Sequence, residues 1–235
     1  AGDMRVKGFM VGGTAGRTTL NGEGLQHEDG HSHLLAYPVP NMMAYDPAFA
    51  YEIAVIVREG IRRMYVEQED IFYYMTVENE QYPMPAMPEG VEEGILKGLY
   101  KFQSSKKKRS KLKAQLFGSG AIMNKVLEAQ KILDEQNNVA ADVWSITSFK
   151  NLHRDAIDTE RWNRMHPGET KRKSYIEESL EGEKGPFVIA SDYVKALPES
   201  IARWFPEAPV SLGTDGFGRS ESREALRDFF EVDAR

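Results

Sequence analysis

From Leu112 onward, short apolar runs alternate with longer runs whose apolar residues recur at helical spacing, and this alternation constrains the fold more than any other feature. Leu112–Gly118 reads as a strand, Ser119 as a cap, and Ile122, Val126, Ala129 and Leu133 as the buried stripe of a helix reaching about Gln136. Val143–Thr147, Phe187–Ser191 and Val210–Gly213 read as further strands. Val194–Phe205 and Glu221–Phe230 read as helices, the second capped by Ser220, and Phe149–Glu183 as a long connection. Strands separated by helices call for a mostly parallel sheet, covered on both faces and joined by right-handed crossovers, so the fold class is α/β.

Upstream, Asp46-Pro47 is a strong helix start, with Asp46 as cap and Pro47 at the first helical position. Phe49, Ile53, Ile56, Val57, Ile61 and Met64 follow at helical spacing, which predicts a helix over about Pro47–Tyr65. Ile71–Val77 is aromatic and β-branched, as a buried strand would be, and Phe72, Tyr73 and Tyr74 fit a sheet better than a base-stacking platform. Pro83, Pro85 and Pro88 then remove backbone donors from Gln81–Gly90, giving an extended strap in which Met84 and Met87 are expected to fill gaps between domains. From Lys97 to Lys113 lie eight basic residues, and no acid occurs between Gly94 and Leu127, so this stretch is expected to be a solvated loop. The division expected is residues 1–88, a linker and basic loop at 89–111, and a second unit at 112–235. The two ends of the chain read as cut from something longer.

Composition narrows the function classes. Lys and Arg total 30 against 36 Asp and Glu, a net charge of −6, and the isoelectric point near 5.5 argues against a generally basic surface for nucleic acid. With no cysteine there is no disulfide framework, thiolate metal site or cysteine nucleophile, which suits a reducing cytoplasm. The apolar runs are far shorter than the roughly 20 residues a membrane-spanning helix needs, and the first residues lack signal-peptide character, so a soluble, cytoplasmic chain without a membrane partner is expected.

The densest polar segment runs from Thr18 to His33 and holds His27, His31, His33, Glu28 and Asp29 among Gly22, Gly24 and Gly30. Three readings of it stand side by side. The histidines could bind a divalent metal, although their spacing follows no predicted helix face. They could be solvated loop residues bonded to neighbouring acids and carbonyls. Because imidazoles titrate near neutrality, they could also move a proton or hydrogen-bond a developing oxyanion.

The string Gly12-Gly-Thr-Ala-Gly-Arg-Thr-Thr-Leu-Asn-Gly-Glu-Gly-Leu-Gln-His-Glu-Asp-Gly-His-Ser-His33 strongly resembles the homodimeric, bacterial-type pyruvate dehydrogenase E1 component, a thiamine-diphosphate enzyme related to transketolase. The resemblance continues through Asn41, Tyr45-Asp-Pro47, Met84–Gly90, Thr147-Ser-Phe149, Glu160–Asn163 with His166-Pro167, and Leu212–Ser220. It implies that residues 1–88 are the rear of a pyrimidine-binding domain and that the remainder is most of a transketolase C-terminal-like domain. It also implies oxidative decarboxylation of pyruvate, with acetyl transfer to the lipoyl group of a dihydrolipoyl acetyltransferase partner. Thiamine diphosphate and Mg are the implied cofactors, with their ligands in upstream segments rather than in these residues. His27 matches the family's active-site histidine, with His31 second and His33 third. Other readings are another 2-oxo-acid dehydrogenase, a transketolase-like enzyme, or a fragment that only dimerises or docks, and the chain by itself is expected to be inactive.

The remaining motifs have structural readings. Lys106, Lys107, Lys108 and Arg109 form a solvated charge run or a docking patch for an acidic surface. Gly213–Ser220, lying before a helix but lacking any phosphate-loop pattern, reads as a structural turn. The residues Glu160–Asn163 could border a site or a dimer interface.

Overall fold

The protein, seen in a computed structural model, is described over residues 1–107 and 110–235. Of the basic run, Lys108 and Arg109 therefore lie outside the described residues. Strands β1 (Phe9–Gly13), β2 (Met42–Tyr45) and β3 (Phe72–Val77) form a wholly parallel sheet in the order β1-β3-β2. Strands β4 (Leu99–Gln103), β5 (Lys113–Gly118), β6 (Ala140–Ile146), β7 (Phe187–Ala190) and β8 (Val210–Leu212) form a second sheet in the order β4-β6-β5-β7-β8. Only β4 in that sheet runs antiparallel to its neighbour.

Period-two alternation divides the second sheet's side chains between two cores. Phe117, Trp144, Ile146, Phe187 and Ile189 face one side, beneath α5 (Phe149–Met165) and α6 (Tyr175–Ser179). Leu116, Ala141 and Val143 face the other, beneath α4 (Met123–Gln136) and α8 (Arg223–Phe229), where Val126 and Leu226 close the layer. In the first sheet Tyr73 and Met75 pack on Val55 and Ile56 of α2 (Ala50–Ile61) and Ile95 of α3 (Glu92–Lys97). A single turn of π-helix, Arg62–Val66, extends α2.

Several expectations change. The stretch read as a basic loop contains β4, because Leu99 and Tyr100 are buried and Lys101 has specific partners. Its ammonium lies 4.7 Å from the Trp144 ring centre and pairs with Asp142 and Glu183. The long connection after Phe149 is mostly α5, started by Ser148, whose side chain accepts from the Asn151 N–H, and packed through Phe149, Leu152 and Ala156. Helix α2 begins at Ala50 rather than Pro47. Glu52 accepts from the N–H groups of Ala48 (2.5 Å) and Phe49 (3.1 Å), which frees Asp46 for another role. Ser222, not Ser220, caps α8 by accepting from Ala225 N–H. The Ser119 hydroxyl is buried without a partner and caps nothing. Between Val194 and Phe205 the chain forms only the short α7 (Ala196–Glu199) and one 3-10 turn at Ala202–Trp204. The proline strap has no regular element. Tyr82 anchors it by donating to Ala48 O at 2.6 Å, so Met84 and Met87 stay exposed rather than filling gaps.

Candidate active site where two sheet ends meet

In parallel sheets, polar side chains just past the carboxyl ends of strands converge on one side, which is where α/β proteins place ligands. Here two sheets present those ends to each other. Asp46 follows β2, Thr76 and Glu78 lie at the end of β3, Gly120 follows β5, Asp192 and Tyr193 follow β7, and Thr214 follows β8. Backbone bonds join the sheets at this level, from Asp46 N–H to Thr147 O (2.8 Å) and from Gly120 N–H to Asp46 O (3.3 Å).

The glycine-rich segment after β1 threads into the same junction. Thr18 N–H donates to both carboxylate oxygens of Asp192, and Thr19 donates to Ala15 O. Buried Arg17 donates to Thr214 O across the junction, and its Nε is left without a partner. A Cβ at Gly30 would fall on the Arg17 guanidinium, so any larger residue there would have to displace that side chain. Val194 N–H then donates to Gly30 O at 2.9 Å, and Arg219 N–H to Glu28 Oε2 at 2.7 Å, fastening the loop to the turns after β7 and β8.

The loop's three histidines have different fates. His27 ends an exposed 3-10 turn, Leu25–His27, and His31 is exposed at the N-cap of α1 (Ser32–Ala36). Asp29 accepts from His31 N–H (3.1 Å) and Ser32 N–H (3.0 Å), starting that helix and turning the next residue inward. That residue is His33, which is 3% exposed. Its Nε2 lies 2.9 Å from the Thr76 hydroxyl, which donates to Asp46 Oδ1 at 2.6 Å. Tyr193 donates to the same oxygen at 3.3 Å and sets its ring edge-on to His33, with centres 5.0 Å apart. Among the described residues, no three histidine, aspartate or glutamate side chains converge as metal ligands.

The electrostatics are those of acids crowded in a poorly hydrated junction. Burial lowers the pKa of His33 and favours the neutral ring. Asp192 is pushed up to about 7, chiefly by burial. Glu78 is raised well above the carboxylate range, by burial first and by the charges of Asp46 and Asp192 next. Gly120 has a φ of +48°, and a side chain there would press on the carboxylates of Glu78 and Asp46, so backbone conformation and space both favour glycine. Asp46 Oδ2 is buried without a hydrogen-bond partner. The site can therefore hold protons on carboxyls near neutrality and present a neutral imidazole. Sequence reasoning missed Asp46, Thr76, Glu78, Asp192 and Tyr193. The signal available was their position, each at or just beyond the end of an apolar strand.

Comparison with known proteins follows the same division of the chain. The model for the pyruvate dehydrogenase E1 component middle domain matches residues 1–85, and that for the transketolase-like TK C-terminal domain matches residues 98–233. The chain belongs to the transketolase-like C-terminal domain family. That domain holds β4 to β8, and the junction just described lies between it and the middle domain. The pyruvate dehydrogenase E1 component of Pseudomonas aeruginosa is 58% identical over 234 residues, covering 99% of this chain and 26% of the relative. That of Escherichia coli K12 is 54% identical over 236 residues, covering 100% of this chain and 26% of the relative. The chain thus spans about a quarter of the length of the curated relatives it matches. A transketolase structure from Campylobacter jejuni superposes with a TM-score of 0.67 at 17% identity, over 98% of this chain and 30% of that one, a likeness of fold. No helix among the described residues is long and apolar enough to cross a membrane.

Proposed function

We propose that this chain is the C-terminal part of a pyruvate dehydrogenase E1 component, serving oxidative decarboxylation of pyruvate with acetyl transfer to the lipoyl group of a dihydrolipoyl acetyltransferase. The observation that carries this reading is identity above one half to such components across the whole chain. The units are residues 1–88 and 112–235, with β4 of the intervening 89–111 adding a strand to the second, and the working assembly is a cytoplasmic homodimer. Thiamine diphosphate and Mg belong to this reading, supplying the carbanion chemistry on pyruvate. The residues here do not fit a magnesium site, since no acidic or histidine triad converges among those described. Those ligands would come from the rest of the polypeptide.

Within this reading His27 and His31 stand on the exposed face of the loop, where they can meet a bound intermediate or an incoming lipoyl group. His27 is the first candidate to hydrogen-bond the intermediate's oxygen or to move its proton, a role worth about 10²–10⁴-fold. His33, the third candidate, lies behind them, buried beside Thr76. The test uses the complete polypeptide assembled with its acyltransferase, assayed on pyruvate, 2-oxoglutarate and a ketose phosphate. Turnover of pyruvate alone is expected, and His27→Ala should retain the fold while losing most of that activity. Preference for 2-oxoglutarate or sugar transfer would overturn the functional reading, and full turnover by the His27 variant would overturn the role of His27.

A further inference from the structure

We infer that Thr76, oriented by Asp46, fixes the tautomer of His33, so that Nε2 carries the ring proton and Nδ1 keeps its lone pair. A hydroxyl has one proton to give. Thr76 has two acceptors within reach, Asp46 Oδ1 at 2.6 Å and Tyr45 O at 3.3 Å, and the short bond to the carboxylate takes it. With its proton so committed, the Thr76 oxygen can only accept from the imidazole. His33 Nε2, 2.9 Å away, must therefore be the donor. A neutral imidazole has a single N–H, which leaves Nδ1 bare. Tyr193 donates to the same carboxylate oxygen, which keeps Asp46 Oδ1 an acceptor on every side from which it is approached.

Two aromatic neighbours pack against the ring and favour this one orientation. Tyr193 stands edge-on to it at 5.0 Å and Tyr74 lies tilted against it at 5.5 Å, in a junction where close packing leaves little room. Thr76 and Asp46 are thus positioning residues, and His33 offers an acceptor at Nδ1 rather than a second donor. The importance of this for catalysis rests on the function proposed above, whereas the tautomer itself does not.

The test is long-range proton–nitrogen correlation of the imidazole groups in the ¹⁵N-labelled chain near neutral pH, with the His33 signals assigned by their loss in His33→Gln. The wild-type chain is expected to show a protonated Nε2 and a bare Nδ1 at His33. Thr76→Ser, which keeps the hydroxyl, should preserve that pattern, and Thr76→Val should shift it toward protonated Nδ1 or an even mixture. A wild-type His33 protonated on Nδ1 overturns the inference without recourse to any variant, as does an unchanged pattern in a folded Thr76→Val chain. Failure of the functional proposal reads out separately. In the complete enzyme, unaltered turnover by Thr76→Val alongside a shifted tautomer would leave the inference standing and remove its role in the reaction.

Discussion

Glu52 sits fully buried between the two units with four donors on its carboxylate: Ala48 N–H, Phe49 N–H, Tyr100 O–H and Ser145 O–H. Tyr51 donates in turn to Tyr100, so one side chain starts α2, ties β4 and β6 to it, and leaves none of these groups unpaired. Glu52→Ala strands several buried donors at once and should cost roughly 3 kcal/mol or more, read from the urea midpoint of the folded chain. A midpoint shift near zero would show that water replaces the carboxylate without penalty. Asp192 makes a prediction of the opposite kind. Its carboxyl titrates near 7 in the folded chain but near 3.9 when unfolded. Between those values the folded chain holds a proton that the unfolded chain has released, so this group makes stability fall as pH rises from about 4 to about 7. Asp192→Asn, which can still accept from Thr18 N–H, should remove that part of the slope, worth a few kcal/mol across the window, when unfolding is compared at about pH 5 and about pH 8. An identical pH slope in both chains would mean that Asp192 is ionised throughout.

At the scale of elements, caps decide boundaries that periodicity leaves open. Ser220 and Ser222 both precede α8, and a cap two residues off is invisible to a helical stripe. The Ser222 side chain accepts from Ala225 N–H, so Ser222→Ala should cost about 1 kcal/mol and Ser220→Ala almost nothing, a difference measurable by thermal unfolding. Equal costs would return the cap to Ser220. The strands β3, β5, β6, β7 and β8 were legible because each holds a short run rich in aliphatic, β-branched or aromatic residues between helical or turn-forming stretches. Strand β4 was not, since its Lys101 belongs by composition to a basic run and only the Trp144 ring and two acids across the sheet make it a strand residue. Helix α5 was hidden for a related reason. Its buried stripe is little more than Phe149, Leu152 and Ala156 on an otherwise charged segment, too sparse to stand out without the sheet beneath it. In the site, the glycine-rich histidine loop announced itself by composition, but which histidine turns inward depends on the turn in which Asp29 accepts from His31 N–H and Ser32 N–H ahead of α1, a matter of one residue of register.

Across the whole molecule, the three-stranded sheet, whose first edge is exposed, is fastened to its neighbour by several buried polar contacts. Glu80 pairs with Arg227, the Lys150 ammonium donates to Val39 O (2.5 Å) and Met42 O (2.6 Å), and Asp46 meets Tyr193 across the junction. Trp144, Trp162 and Trp204 all lie in the second unit, so tryptophan fluorescence reports on that unit while circular dichroism reports on both. The two denaturation curves should coincide. An earlier transition by dichroism would mean that the first unit unfolds alone and that the junction does not couple them. The amino-acid sequence by itself determined the α/β class, the parallel order implied by alternating strands and helices, and the kinship carried by the glycine and histidine string, because these depend on local periodicity and on runs of consecutive residues. Only the tertiary structure decided that Asp46, Thr76, Glu78, Asp192 and Tyr193 gather around His33. They come from separate strand ends spread over much of the chain, and no local pattern records which ends a folded sheet brings face to face.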